Sequence, residues 1–187
     1  MRRLPITLLV VALAASACAR VPSRYVNKSA DLDAIATVAV LPFENVTNDK
    51  LCAERVHKIF VTELLSSGAF QVVEPGQVIR IVRRDQLDVG ALAPEDIKRL
   101  GEALKVQAIF LGAILEYDEG RGSGSVPSPR VKLQIRLVET ETATTLWSVT
   151  RTRAGATVAA RLFGVGGVPA SSMAEEIIRD ELAQLAR

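Results

Sequence analysis

Residues 35–48 read IATVAVLPFENVTN. Val38, Val40 and Leu41 make a short, almost unbroken apolar run, the pattern of a strand covered on both faces. Pro42 ends it, because proline has no N–H to give a sheet ladder. Asn45, Thr47 and Asn48 follow, residues that bond their own backbone and so form turns and helix caps. The period then changes. Cys52, Val56, Ile59, Phe60 and Leu64 recur at three- and four-residue steps, which predicts a helix over 49–67 with Asn48 as its N-cap and Gly68 as its stop. A central strand feeding a helix is the frame on which the rest of the chain packs.

Working forward, FQVVE at 70–74 predicts a second short strand. Helices follow at 75–87, opening on Pro75, and at 94–104 with Ile97, Leu100 and Leu104 as its stripe. Residues 108–117, AIFLGAILEY, are too apolar for a strand with a wet face. Residues 130–139, RVKLQIRLVE, alternate instead, with Val131, Leu133, Ile135 and Leu137 inward and Lys132, Gln134 and Arg136 outward, and 145–152 return as the hairpin partner. Ser172 and Glu175 match a capping box for a last helix ending near Ala186. The order β-α-β-α-α-β-β-β-α predicts an α/β (α+β) class fold, a mixed sheet with helices packed on it.

Working backward, the first residues are a leader. Arg2 and Arg3 precede an apolar stretch over 4–14, and Ala15-Ser16-Ala17 stands immediately before Cys18. That is the layout of a secretory signal peptide, with a core too short to span a bilayer. The cysteine at the cleavage point makes it resemble a bacterial lipobox, whose sulfur carries palmitate-type acyl chains. Two or three such chains anchor far more firmly than one. Ala19 rather than aspartate after Cys18 implies the outer membrane. The expected organisation is therefore a signal peptide over 1–17, the lipidated Cys18 with a short tether over 18–34, and one domain over 35–187. Loss of Arg2 and Arg3 leaves a chain of formal charge +2 neutral, so its basic pI is no argument for nucleic acid. With Cys18 acylated, Cys52 has no partner and no internal disulfide forms.

Candidate chemistry is sparse. His57, the only histidine, falls on the predicted helix's exposed flank with no metal-ligand spacing around it, and reads as a surface residue. Cys52 falls on the apolar stripe and reads as a small packing residue. The glycine-rich loop at 120–129 leads into a strand, not a helix, and fails the context of a phosphate loop. Gly164-Val165-Gly166-Gly167 does precede a helix, where backbone amides bind anions, but no lysine accompanies it. Arg80, Arg83 and Arg84 form an outward set facing solvent or an acidic partner. No catalytic residue, metal ligand or cofactor is assigned.

VAVLPFENVTND, the helix after it, FQVVE, AIFLGAILEY and VKLQIRLVETETATTLWSV together resemble the CsgG/LpoB-type superfamily of bacterial envelope lipoproteins. The resemblance implies an α/β core like the TolB amino-terminal domain, a periplasm-facing outer-membrane location, and action by binding rather than catalysis. Pore-forming members insert membrane-spanning hairpins, but the segments at 118–129 and 153–169 are too short or too polar for two strands of about 9–11 residues each. The expected function is thus a lipid-anchored, non-enzymatic module that binds other envelope proteins in assembly, secretion or peptidoglycan synthesis. Its expected contact residues are Arg130, Lys132, Gln134, Arg136 and Trp147, with a homo-oligomer open. The alternatives are an oligomeric secretion-channel component, and an enzyme or small-ligand binder using the 164–167 loop.

Overall fold

The computed structural model describes residues 23–120, 129–155 and 168–185. Their centre is one seven-stranded sheet. It comprises β1 (Ser23–Val26), β2 (Thr37–Val40), β3 (Glu44–Asn45), β4 (Gln71–Val72), β5 (Ala108–Asp118), β6 (Arg130–Glu139) and β7 (Thr145–Ala154). The order is β1-β7-β6-β5-β2-β4, with β3 pairing β5 beyond the end of β2. The β4–β2–β5 half is parallel and the β5–β6–β7–β1 half antiparallel. Helices α1 (Cys52–Ser67), α2 (Pro75–Arg84), α3 (Pro94–Leu104) and α4 (Ala170–Leu185) pack on it.

The apolar run in the opening stretch earns its place on both faces. Val38 and Val40 join the core under α1 and α4, whereas Ala39 and Leu41 join the core under α2 and α3. The strand β5 alternates in the same way, Ala108 and Phe110 to one core and Ile109 and Leu111 to the other. Pro42 breaks the pairing as expected, and Phe43 then folds back over β5. A Cβ on Gly112 would lie 2.5 Å from the Phe43 ring, so only glycine admits that ring. Phe43, Phe60, Phe110 and Phe70 continue as a chain of tilted and edge-on rings, with centroids 5.1–5.8 Å apart.

Three expectations change. Ser23–Val26, expected inside the tether over 18–34, is a strand: it pairs antiparallel with β7 from Ser23↔Thr150 to Val26↔Trp147. Four residues with no covered face carry too little periodicity to be read as a strand. The first helix begins at Cys52, not Asp49, and Asn48 does not cap it. The N-cap position is Leu51, which has no side-chain cap, and Asp49 closes the turn before it, its Oδ1 accepting from Leu51 N–H at 2.9 Å and its carbonyl from Cys52 N–H at 3.3 Å. The last helix begins at Ala170, so Ser172 and Glu175 lie within its first turns and form no capping box. The amide of Ala170 is instead met by Glu119 Oε2 at 3.4 Å, and Glu175 pairs with Arg179.

Candidate functional site

Two surfaces follow from this sheet. Because α4 lies under β6 and β7 while α2 and α3 lean on β2 and β5, the other face of the β6–β7–β1 region keeps polar side chains in contact with solvent. On β6 these are Lys132, Gln134 and Arg136. The register sets them beside Thr152, Thr150 and Ser148 of β7, and Ser23 and Tyr25 of β1 extend the row. Tyr25 is 51% exposed and sets a large apolar body among these hydrophilic side chains. At the far end Arg130 faces Asp118 in the ladder and pairs with Glu116 at 3.3 Å. The alternation in the sequence thus brings Arg130, Lys132, Gln134 and Arg136 onto one accessible face or its rim.

Trp147 does not join them. It is 2% exposed, on the covered face, within the core that α4 completes. The regular ladder puts it there, opposite the inward Leu137 and on the same face as Val149; a register shift between Leu137 and Val138 skips Leu146, so that Leu146 and Trp147 are both buried despite being neighbours. That bulge has no signature in the sequence. Cys18 and the 164–167 loop lie outside the described residues, as do residues 121–128 of the loop at 120–129.

The second surface is a groove of about 880 Å³ running between α1 and α2 past Pro42 and Phe43. Its walls are mostly apolar: Phe43, Ala53 and Val61 on one side, Pro75, Ile79, Val82 and Leu87 on the other. It opens beyond the carboxyl end of β2, where ligands of open α/β sheets bind. His57 lines it and is 8% exposed, which corrects its reading as a surface residue. The helix stripe is wider than Cys52-Val56-Phe60-Leu64; Ala53, His57 and Val61 form a second buried row at i, i+4 spacing, visible in the sequence. The imidazole meets the Phe43 ring edge-on at 5.4 Å, and its Nε2 is buried with no hydrogen-bond partner among the described residues.

Burial pushes the His57 pKa below its usual value, and the Val40 carbonyl, as a backbone acceptor, pushes the other way without offsetting it. The unfolded chain therefore takes up a proton near pH ~6.5 that the folded chain refuses. The resulting stability is intact above that pH and is lost as pH falls below it, by at most ~1.4 kcal/mol per pH unit. Urea titrations from pH 7.5 to 5 are expected to show that acid limb in the parent protein. A His57→Phe variant should flatten it.

Cys52 is wholly buried, its Sγ 3.2 Å from Thr47 Oγ1 and 3.4 Å from Asn45 Oδ1, as a packing residue that also ties down the loop before α1. Among the described residues no group of three His, Cys, Asp or Glu side chains is placed to hold a metal, and no helix is long and apolar enough to cross a membrane. One buried charged cluster went unread in the sequence. Glu181 of α4, 0% exposed, takes Arg24 of β1 on Oε2 and Arg151 of β7 on Oε1. The Arg24 contact is a hydrogen bond; the Arg151 contact is an ion pair by proximity, without hydrogen-bond alignment.

Comparison with known structures places this architecture. The PelC dodecamer from Paraburkholderia phytofirmans superposes with a TM-score of 0.61 at 17% identity, over 89% of this chain and 96% of that one. Lipoprotein GNA1162 from Neisseria meningitidis gives 0.58 at 17% identity, over 81% and 98%. The hypothetical protein CT253 from Chlamydia trachomatis gives 0.55 at 14% identity, over 82% and 96%. No curated protein matches in sequence. At these identities the structures establish a shared fold. The family model described as "Curli production assembly/transport component CsgG" matches residues 25–187, beginning inside β1. The chain belongs to the CsgG family.

Proposed function

We propose that this protein is a lipid-anchored module of the bacterial outer membrane, on its periplasmic side, that binds other envelope proteins and performs no catalysis. The observation that carries the reading is the polar face of β6, β7 and β1, uncovered among the described residues and flanked by the exposed edge strand β1. An exposed sheet edge offers unpaired backbone groups to an incoming strand, and flanking side chains confer selectivity. Arg130, Lys132, Gln134 and Arg136 are its contact residues, and acidic or strand-forming segments of envelope proteins are the partners that fit. Similarity to a PelC dodecamer supports self-association as one form of that binding.

The position of β1 sharpens the anchoring. Only residues 19–22 separate Cys18 from Ser23, the first residue of β1. An acylated Cys18 holds β1 within about 17 Å of the acyl attachment, at ~3.4 Å per residue. The domain then stands against its own membrane and does not reach across the periplasm. A secretion-channel component is the second reading, favoured by the family assignment.

The test has two arms. Metabolic labelling with an alkyne fatty acid is expected to mark the parent and not a Cys18→Ser form, which should also leave the membrane fraction. A photo-crosslinker at Arg136 should capture a defined envelope protein or a second copy, and Lys132→Glu with Gln134→Glu should weaken that capture while leaving stability within ~0.5 kcal/mol. An unlabelled parent protein, or capture indifferent to these substitutions, would overturn the reading.

A further inference from the structure

The groove between α1 and α2 is used by none of this. It is concave, walled by two helices and mostly apolar, with a volume in the range that encloses a drug-sized apolar body. Its rim is cationic. Lys58 and Arg83 stand at its edge, and Arg80 lies further along α2. Glu54, the rim's one carboxylate, is already held by Lys58 at 2.6 Å. Arg80 and Arg83 have no carboxylate partner among the described residues, while Arg84 is satisfied by Asp85 at 2.7 Å. The wall also carries the unpartnered ring nitrogen of His57.

We propose that this groove is a docking site for an amphipathic helix of a partner protein, whose apolar ridge lies between α1 and α2 and whose flanking Asp or Glu side chains meet Arg83 beside the Lys58–Glu54 pair. Shape decides against a bilayer, because a flat surface cannot fill a trough, whereas side chains at i, i+3, i+4 and i+7 of a helix form the ridge that does. Charge decides the partner's sign. The rim's Lys58 is already neutralised by Glu54, so the charge left over is that of Arg83; a basic helix would bring a like charge to it, whereas an acidic one replaces water at a guanidinium that has no carboxylate partner among the described residues. The inference rests on the reading of the chain as a protein-binding module but uses a surface separate from the sheet face.

The full mature chain carrying Cys18→Ser, free of detergent, is titrated into two fluorescent synthetic helices. Both have leucine at i, i+3, i+4 and i+7; one is flanked by glutamate and the other by lysine. The glutamate helix is expected to bind at least about tenfold more tightly, and added salt to weaken it. Ile79→Asp should weaken that binding by about tenfold or more, and Arg83→Glu should reverse the preference between the two helices. Arg136→Glu should change neither, which separates failure of the groove from failure of the sheet face; thermal melts confirm that each variant is folded. Equal binding of the two helices, or no response to Ile79→Asp, overturns the proposal. So does displacement of the helix by phosphatidylglycerol vesicles, or a sedimentation dimer of the parent that Ile79→Asp abolishes, since lipid or a second copy would then be the occupant.

Discussion

Replacing Arg24 and Arg151 together by methionine is expected to lower stability by about 3–5 kcal/mol, because it leaves the Glu181 carboxylate buried with no cation. The two guanidiniums approach that carboxylate from β1 and β7, and they are the charged groups paired with it in the described structure. Their own side chains remain 28% exposed, so losing Glu181 alone is milder: the stranded charges can reach water. The asymmetry makes the test sharp. Adding Glu181→Leu to the double methionine variant should return most of the lost stability, since an apolar trio of similar volume often matches a buried ion triad. Urea denaturation midpoints at constant slope would read all three variants. A double variant as stable as the parent would mean that the carboxylate is hydrated, and that β1 is held by its backbone ladder alone.

How legible this was depends on where the signal lived. Elements whose burial is periodic could be read closely: Pro94–Leu104 and Arg130–Glu139 fall at the residues their patterns imply. Both cores were implied by the run through Val38, Val40 and Leu41, because a strand apolar on consecutive residues must be covered twice. What escaped was set by contacts distant in sequence. The strand β1 has no stripe of its own and is a strand because β7 offers it an edge and Glu181 a charge. Likewise α4 starts two residues before its apparent capping box because Glu119, 51 residues earlier, meets its first amide.

The candidate surfaces divide along the same line. Strict alternation on β6 made the sheet face readable, with Arg130, Lys132, Gln134 and Arg136 as its members. The groove needed tertiary information, since its walls come from two helices separated by β4 and its floor from a turn. Two local signals pointed towards hidden polar groups nonetheless. His57 sits midway between the buried Ala53 and Val61, and Glu181 stands between Ile178 and Leu182 on the inner row of α4. A polar residue on an apolar stripe marks either a paired group or one under strain. Here Glu181 is the first kind and His57 the second.

Truncating Trp147 to alanine is expected to cost about 3–5 kcal/mol, a loss of Tm of about 6–20 °C for a domain of this size. As a partner contact at the surface it would have cost binding and left folding nearly intact, so the measurement discriminates between two locations for one side chain. The argument for the core is geometric. Trp147 faces Val26 of β1 on one side and Leu137 of β6 on the other, in the core that α4 completes. The β6 side of the space is fixed, because β6 is laddered to β5 and β7; the β1 side is held by its single ladder to β7. A cavity term is therefore added to the lost transfer energy. Arg136→Ala, one cross-strand position away on the opposite face, should change stability by no more than ~0.5 kcal/mol. A Trp147→Ala protein that melts with the parent yet loses its crosslinked partner would put the indole outside and require a different register for β7. A protein that melts early and still captures its partner in the cold keeps the register drawn here, with the contact surface on the β6 side chains that point the other way.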